Sequence, residues 1–228
     1  MFCNTPIVTN FRKCVTGYHI INSSPINEKI WEDINSSIFE KSQISIISKS
    51  MGGHLSGMDI NSSIGKISNK SAKYNKNQTS FDLSSYRLTI VCNNKECGNI
   101  ESIIQEISNR KNFDYYSIIV RNEEADKPTI DYHWFMIPSS FNILEPSSYT
   151  WQPMIGKQGK QKDKQIGWNT NKINGSSMSI TFSMSSQLWI HIEITEEIKK
   201  FIVSSVTVNK TAKTDYIKLF DSYTPLDI

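Results

Sequence analysis

Arginine is scarce in this chain. It stands only at positions 12, 87, 110 and 121, and lysine carries nearly all the positive charge. The net charge is +3, a mild basic excess that excludes a histone-like polycation. Long apolar runs are missing too, and no stretch approaches the roughly 20 residues of a membrane span. No basic region followed by an apolar run opens the chain, so no secretion signal is expected and the reading is a cytoplasmic protein with no membrane partner. Cysteine is confined to positions 3, 14, 92 and 97. Cys92 and Cys97 are spaced for a zinc site, but no histidine lies near them in sequence, so reduced thiols are expected. A Gly-X-Ser-X-Gly elbow, a P-loop and a His-Glu-X-X-His pair are all absent, which removes three common hydrolytic designs. There is no repeat of 20 to 50 residues and no helix-turn-helix or isolated basic helix.

What is present is a chain of 228 residues, 38% hydrophobic, enough for a substantial core. Asn, Ser, Ile and Lys are abundant, as expected from an A/T-rich coding sequence. Ser24-Pro25 reads as a helix start, followed by Ile26, Ile30, Ile34 and Ile38 at helical spacing. A strand is expected over 43–48, a hairpin from Asp59, a third strand over 86–91 and a helix over 99–111. Strands follow over 115–121 and 130–137. The central region thus reads αβββαββ, a mixed sheet with flanking helices. Residues 138–153 read as an irregular connection. Strands over 178–184 and 187–194, a short helix over 196–201 and a polar tail complete an additional β-rich C-terminal part. The fold class expected is α/β of the α+β kind, in one domain over 1–228. Its core would span 25–137 and its extension 138–228.

The residues that carry chemistry lie at 56–71. Ser56-Gly57-Met58-Asp59-Ile60 is followed by the turn Asn61-Ser62-Ser63 and then by Gly65-Lys66-Ile67-Ser68-Asn69-Lys70-Ser71. If the second stretch is a strand, Lys66, Ser68 and Lys70 share a face. The turn folds that strand back beside Asp59. A carboxylate opposite a lysine in this layout can hold a hard divalent cation beside an attacking water. The lysine then orients the nucleophile or stabilises a pentavalent phosphoryl transition state.

This segment resembles the PD-(D/E)XK nuclease motif, in which an Asp precedes a strand carrying (Asp/Glu)-X-Lys. Asp59 matches the first acid and Lys70 the lysine, while Ser68 stands where the family has its second acid. Gly57, Asp59, Ser-X-Lys-Ser at 68–71 and Ser84-Ser85-Tyr86-Arg87-Leu88-Thr89 together are similar to a group of type II restriction endonucleases. The likeness covers roughly residues 50–120. It implies a PD-(D/E)XK-like mixed central sheet, Mg2+ as cofactor, double-stranded DNA as substrate and a homodimer acting on a palindromic, A/T-rich site. Asp59, Ser68 and Lys70 become the candidate catalytic residues. A serine hydroxyl is a poor Mg2+ ligand, so the metal set is expected from Asp59, the Asn69 carbonyl and Glu40 on the preceding helix.

Candidate DNA contacts come from two polar segments. Lys160, Lys162 and Lys164 sit with Lys157 in one stretch and can neutralise phosphates. Gln158, Gln161, Gln165, Asn169 and Asn171 are interleaved with them, and such amides pair with adenine edges in the major groove. Lys73, Lys76, Asn77 and Gln78 form a second basic loop, and Arg87 belongs to the resemblance above. His54, five residues before Asp59, is a further candidate for phosphate or water contact. Trp151 and Trp168 flank the basic stretch as packing or base-stacking residues. Two rival functions remain: a sequence-specific DNA-binding protein that has lost catalysis, and a PD-(D/E)XK nuclease of the repair or RNA kind.

Overall fold

The computed structural model describes residues 4–50, 57–88, 92, 99–182 and 186–210. Two helices come first, α1 (Thr5–Ile21) and α2 (Glu28–Lys41). Then follow β1 (Ile46–Lys49), β2 (Ile60–Ser62), β3 (Gly65–Lys73), β4 (Ser80–Arg87), α3 (Ile100–Arg110), β5 (Tyr115–Glu123) and β6 (Thr129–Pro138). The remainder is β7 (Trp151–Ile155), β8 (Gln165–Thr170), β9 (Ser177–Thr181), β10 (Gln187–Glu193), α4 (Glu196–Lys199) and β11 (Ile202–Asn209). Helices and mixed sheets together make an α+β fold. No helix among the described residues is long and apolar enough to cross a membrane.

The strands form a six-stranded sheet in the order β1-β2-β3-β5-β6-β11 and a five-stranded sheet in the order β4-β10-β9-β8-β7. In the first, β3 and β5 run parallel and the other pairs are antiparallel. The second is an antiparallel meander. Helices α1 and α2 cover one face of the larger sheet through Phe11, Val15, Trp31, Ile38 and Phe39, which meet Ile67, Ile119 and Trp134. The smaller sheet and α3 cover the other face, where Phe81, Leu83, Ile103 and Ile107 meet Ile118, Val120 and Phe135. Burying each such side chain contributes roughly 1.5–3 kcal/mol.

Several boundaries differ from the sequence expectation for physical reasons. Helix α2 starts at Glu28, because Asn27 rather than Ser24 caps it, accepting from the Ile30 N–H at 3.1 Å. Ile26 stays outside the helix, since its N–H is committed to the Tyr132 hydroxyl at 3.1 Å. The third strand of the central region is Ser80–Arg87 rather than 86–91, and it joins the smaller sheet; residues 89–91 lie outside the described residues. The expected division at 137/138 does not separate the two sheets. β4 from the first part pairs with β10, and β11 from the second returns to pair with β6.

Candidate active site

Strand β2 pairs with β3 only from Ile60↔Ile67 to Ser62↔Gly65. Beyond Ile67 that edge of β3 has no strand partner among the described residues, and Asp59 takes its place. The Asp59 N–H donates to the Ile67 carbonyl at 2.8 Å, and the carboxylate Oδ2 accepts the Asn69 N–H at 2.5 Å. The Ser68 hydroxyl lies 3.5 Å from the same oxygen. Oδ1 has no hydrogen-bond partner among the described residues. A strand residue turns its N–H and C=O to the same side, so the Asn69 carbonyl also faces this open edge.

Alternation along β3 separates its side chains. The register with β5 sets Ser68 beside Tyr116 and Lys70 beside Ile118, on the face of the smaller sheet. Asn69, buried on the opposite face, meets α2. Ser68 and Lys70 therefore share a face, as the spacing predicts. The long Lys70 stem carries its ammonium round the open edge to Glu28, 2.7 Å away at the first turn of α2. The Lys70 side chain is only 13% exposed and that of Glu28 42%.

Glu32 lies one turn further along α2, on the same face as Glu28. Its carboxyl is pushed up to about 7 by burial, then by the negative charges of Asp59 and Glu28, with Lys70 opposing. Burial raises Asp59 as well, against the pull of Lys70, the Asn69 N–H and the Ser68 hydroxyl. For Lys70, burial pulls the pKa down, but Glu28 and Asp59 outweigh it and the net direction is up. Three carboxylates thus crowd one lysine, and two of them are held against their preferred ionisation.

The extra carboxylates come from the helix that sequence reasoning chose, but from its other end. Glu40 is exposed and lies 3.8 Å from Lys49. It stands twelve residues from Glu28, about 18 Å along the helix axis. Glu28 and Glu32 were missed because nothing local links residues 28–32 to 59–70. The one available signal was their i, i+4 spacing on an amphipathic helix. Among the described residues, no three His, Cys, Asp or Glu side chains converge closely enough to hold a metal by themselves. The donors fit a cation that protein holds by one or two oxygens and that keeps water and substrate phosphate for the rest, as Mg2+ does.

The candidate DNA-contacting residues fall in two places. Tyr74 bridges Phe81, and Ser85 lies 3.4 Å from Tyr116, so the Arg87 end of β4 runs beside Ser68. Following the antiparallel meander, Arg87, Gln187, Thr181, Gln165 and Ile155 all stand at that end of the smaller sheet. The 156–164 loop therefore projects from the same end as Asp59 and Lys70. It is displaced from β4 by three to four strand spacings, about 14–19 Å. Lys157, Gln158, Lys160, Lys162 and Lys164 are exposed there. Backbone bonds shape the loop: Gly156 N–H to the Lys164 carbonyl and Asp163 N–H to the Gly156 carbonyl, with Asp163 at φ +61°. A Cβ at Gly156 would sit 2.1 Å from the Gln161 carbonyl, so glycine is required.

Two of the other amides are already engaged, and the third has its oxygen buried without a hydrogen-bond partner among the described residues. Gln165 donates to the Gly167 carbonyl, Asn171 accepts the Thr150 N–H, and Asn169 is half-buried within β8 with a buried Oδ1. These three build the hairpin, and the exposed Gln158 and Gln161 are the amides left at its tip. Trp151 and Trp168 pack against the core, and Trp151 donates to the Pro146 carbonyl. The Lys73–Gln78 segment lies elsewhere. Lys73 closes β3, four residues or about 13 Å past Asn69, and Lys76, Asn77 and Gln78 lie beyond it. There Asn75 accepts the Thr79 and Ser80 N–H groups, and the lysines line a groove with Glu123, Glu124 and Asp126. The structure does not bring these four residues to the Asp59 edge. His54 falls outside the described residues, as do Cys3 and Cys97; Cys14 is a free thiol. No protein-family model, no curated protein and no solved structure matches the chain.

Proposed function

We propose that the protein is a Mg2+-dependent endodeoxyribonuclease of the type II restriction kind, acting as a homodimer on a palindromic, A/T-rich site. One observation carries the reading. Asp59 stands at the open edge of β3, where the neighbouring strand stops and its carboxylate accepts the Asn69 N–H, and the charge of Lys70, paired with Glu28, pulls its pKa down against burial. When bound, the divalent ion supplies charge neutralisation at the phosphoryl group and a more acidic water. Asp59 and the Asn69 carbonyl offer it hard oxygen donors, and Glu28 and Glu32 supply negative charge that Ser68 cannot. Lys70 orients the attacking water and faces the charge that develops on the phosphoryl oxygens. Glu32, poised at about 7, can take up a proton at neutral pH. The 156–164 loop projects from the same end and offers lysines to phosphates and Gln158 to a base edge.

The test is incubation with phage DNA and Mg2+, with and without EDTA, for the wild type and Asp59→Ala. The reading expects discrete fragments from the wild type alone. Full cleavage in EDTA or by Asp59→Ala would sink it. A smear would point to a nuclease of the repair kind. The second reading, a DNA-binding protein without catalysis, draws support from Ser68 in the acid's place and from Lys70 tied to Glu28. Intact DNA bound at one sequence would favour it. Sedimentation of the free protein tests the dimer.

A further inference from the structure

Asn35 sits in the middle of the apolar face of α2 and is fully buried. Its Nδ2 donates to Asn69 Oδ1 at 2.6 Å and to Ser117 Oγ at 2.9 Å. The arrangement is poor for stability. Asn35 Oδ1 and Asn69 Nδ2 are both buried with no hydrogen-bond partner among the described residues. A half-satisfied buried pair costs more than an apolar contact of the same shape. Its neighbours Trp31, Ile34, Ile38 and Phe39 would bind α2 to the sheet without it. What apolar ridges do not fix well is register, and a directional bond does.

Register is what the open edge of β3 needs. Glu28, Glu32 and Asn35 lie along one face of α2 at i, i+4 and i+7. Asn69 touches the cluster twice, through its side chain to Asn35 and its N–H to Asp59. A slide of α2 by half a turn, about 2.7 Å, would break the 2.7 Å contact of Glu28 with Lys70. We infer that Asn35 is a positioning residue: its bond to Asn69 fixes the seating of α2 on β3 that brings Glu28 to Lys70. The seating itself is a property of the fold; its value for catalysis rests on the nuclease reading.

The test therefore reads the seating directly. Asn35→Leu, Asn35→Ala and Asn69→Ala are treated with an amine-acylating reagent, and modification of each lysine is followed by peptide mass spectrometry alongside a thermal melt. The seating predicts that Lys70, protected in the wild type, reacts about tenfold faster in the variants as its pairing opens locally. Exposed Lys76 and Lys160 serve as unchanged references. In the Mg2+ cleavage assay kcat falls and KM holds. A Lys70 rate within twofold of wild type in all three folded variants overturns the inference. Loss of the cooperative melt in Asn69→Ala also overturns it, since the pair would then hold the fold rather than the register. Faster Lys70 labelling in a protein that cuts no DNA keeps the seating and removes the nuclease reading.

Discussion

Glu32→Gln should stabilise the protein at pH 8 and leave it almost unchanged at about pH 4. The folded chain raises this carboxyl from 4.5 to about 7. In the folded state it therefore binds its proton between those values, where the unfolded chain has released it. Stability then falls as pH rises through the window, and the full penalty applies above about 7. A rise of that size corresponds to about 3 kcal/mol at most. Glu32 is only half-buried, so solvent screening reduces this to about 1–2 kcal/mol. For a domain of this size that amounts to a Tm increase of about 3–6 °C at pH 8. At about pH 4 the wild-type carboxyl is mostly protonated in the folded and the unfolded chain alike and resembles the amide, so the difference should shrink below about 1 °C. Calorimetry of both proteins at the two pH values measures it. An equal shift at both would mean that burial, with Asp59 and Glu28, does not raise the Glu32 carboxyl. Adding Mg2+ at pH 8 gives a second arm, in which the wild type should gain more than Glu32→Gln if the carboxylate cluster draws the cation.

The Glu28–Lys70 pair should show a coupling of about 1–2 kcal/mol in a double-mutant cycle of Glu28→Gln and Lys70→Met, above an exposed pair because Lys70 is buried and below a fully buried one because Glu28 is not; denaturant titrations giving under about 0.3 kcal/mol would contradict the geometry. The same Lys70 contribution is present below the unfolded lysine pKa and should disappear as pH rises through the raised folded value. Burial lowers His133, whose Nδ1 meets the Tyr74 hydroxyl at 2.7 Å. Its contribution should be lost as pH falls from the unfolded value near 6.5, opposite in sign to Glu32. Urea midpoints should show a smaller loss between pH 7 and 5 for His133→Leu than for wild type, and an equal loss would refute the assignment. On DNA, Lys160→Ala and Lys162→Ala should each flatten the salt slope by about one unit. Gln158→Ala should cost about 1–3 kcal/mol on a cognate duplex and little on a scrambled one. Unchanged slopes across a salt series would move the DNA surface away from this loop.

The hairpin that joins Asp59 to Lys70 was legible because its two halves are neighbours in sequence and a short polar turn fixes their pairing. The same locality made α3, β5, β6, β9 and β10 readable from their apolar spacing. Helix α1 carried an equally clear stripe, Ile7, Phe11, Val15 and His19, that the reading passed over. β11 was hidden by its composition, since Ser204, Ser205, Thr207 and Asn209 resemble a polar tail until β6 supplies a partner. Partnership is also what the third strand lacked: an alternating run says that a strand forms, not which sheet accepts it. The carboxylates around Lys70 were illegible for a related reason. The choice between Glu28, Glu32 and Glu40 depends on which end of α2 meets the open edge of β3. The two basic loops looked alike in composition, and only the direction of β3 and the meander separates the one at the Asp59 end of the sheets from the one facing acids.

The crossing of chain segments between the two sheets bears on when this protein can become active. β4 waits for β10, about a hundred residues later, and β6 waits for β11. Such distant pairings fold slowly, because loop closure precedes any reward. On a ribosome, the hairpin carrying Asp59 and Lys70 emerges long before the strands that complete either sheet. A chain truncated before residue 187 would expose the edges of β4 and β6 and invite aggregation. On the nuclease reading proposed above, cleavage would then be withheld from every partial product of translation.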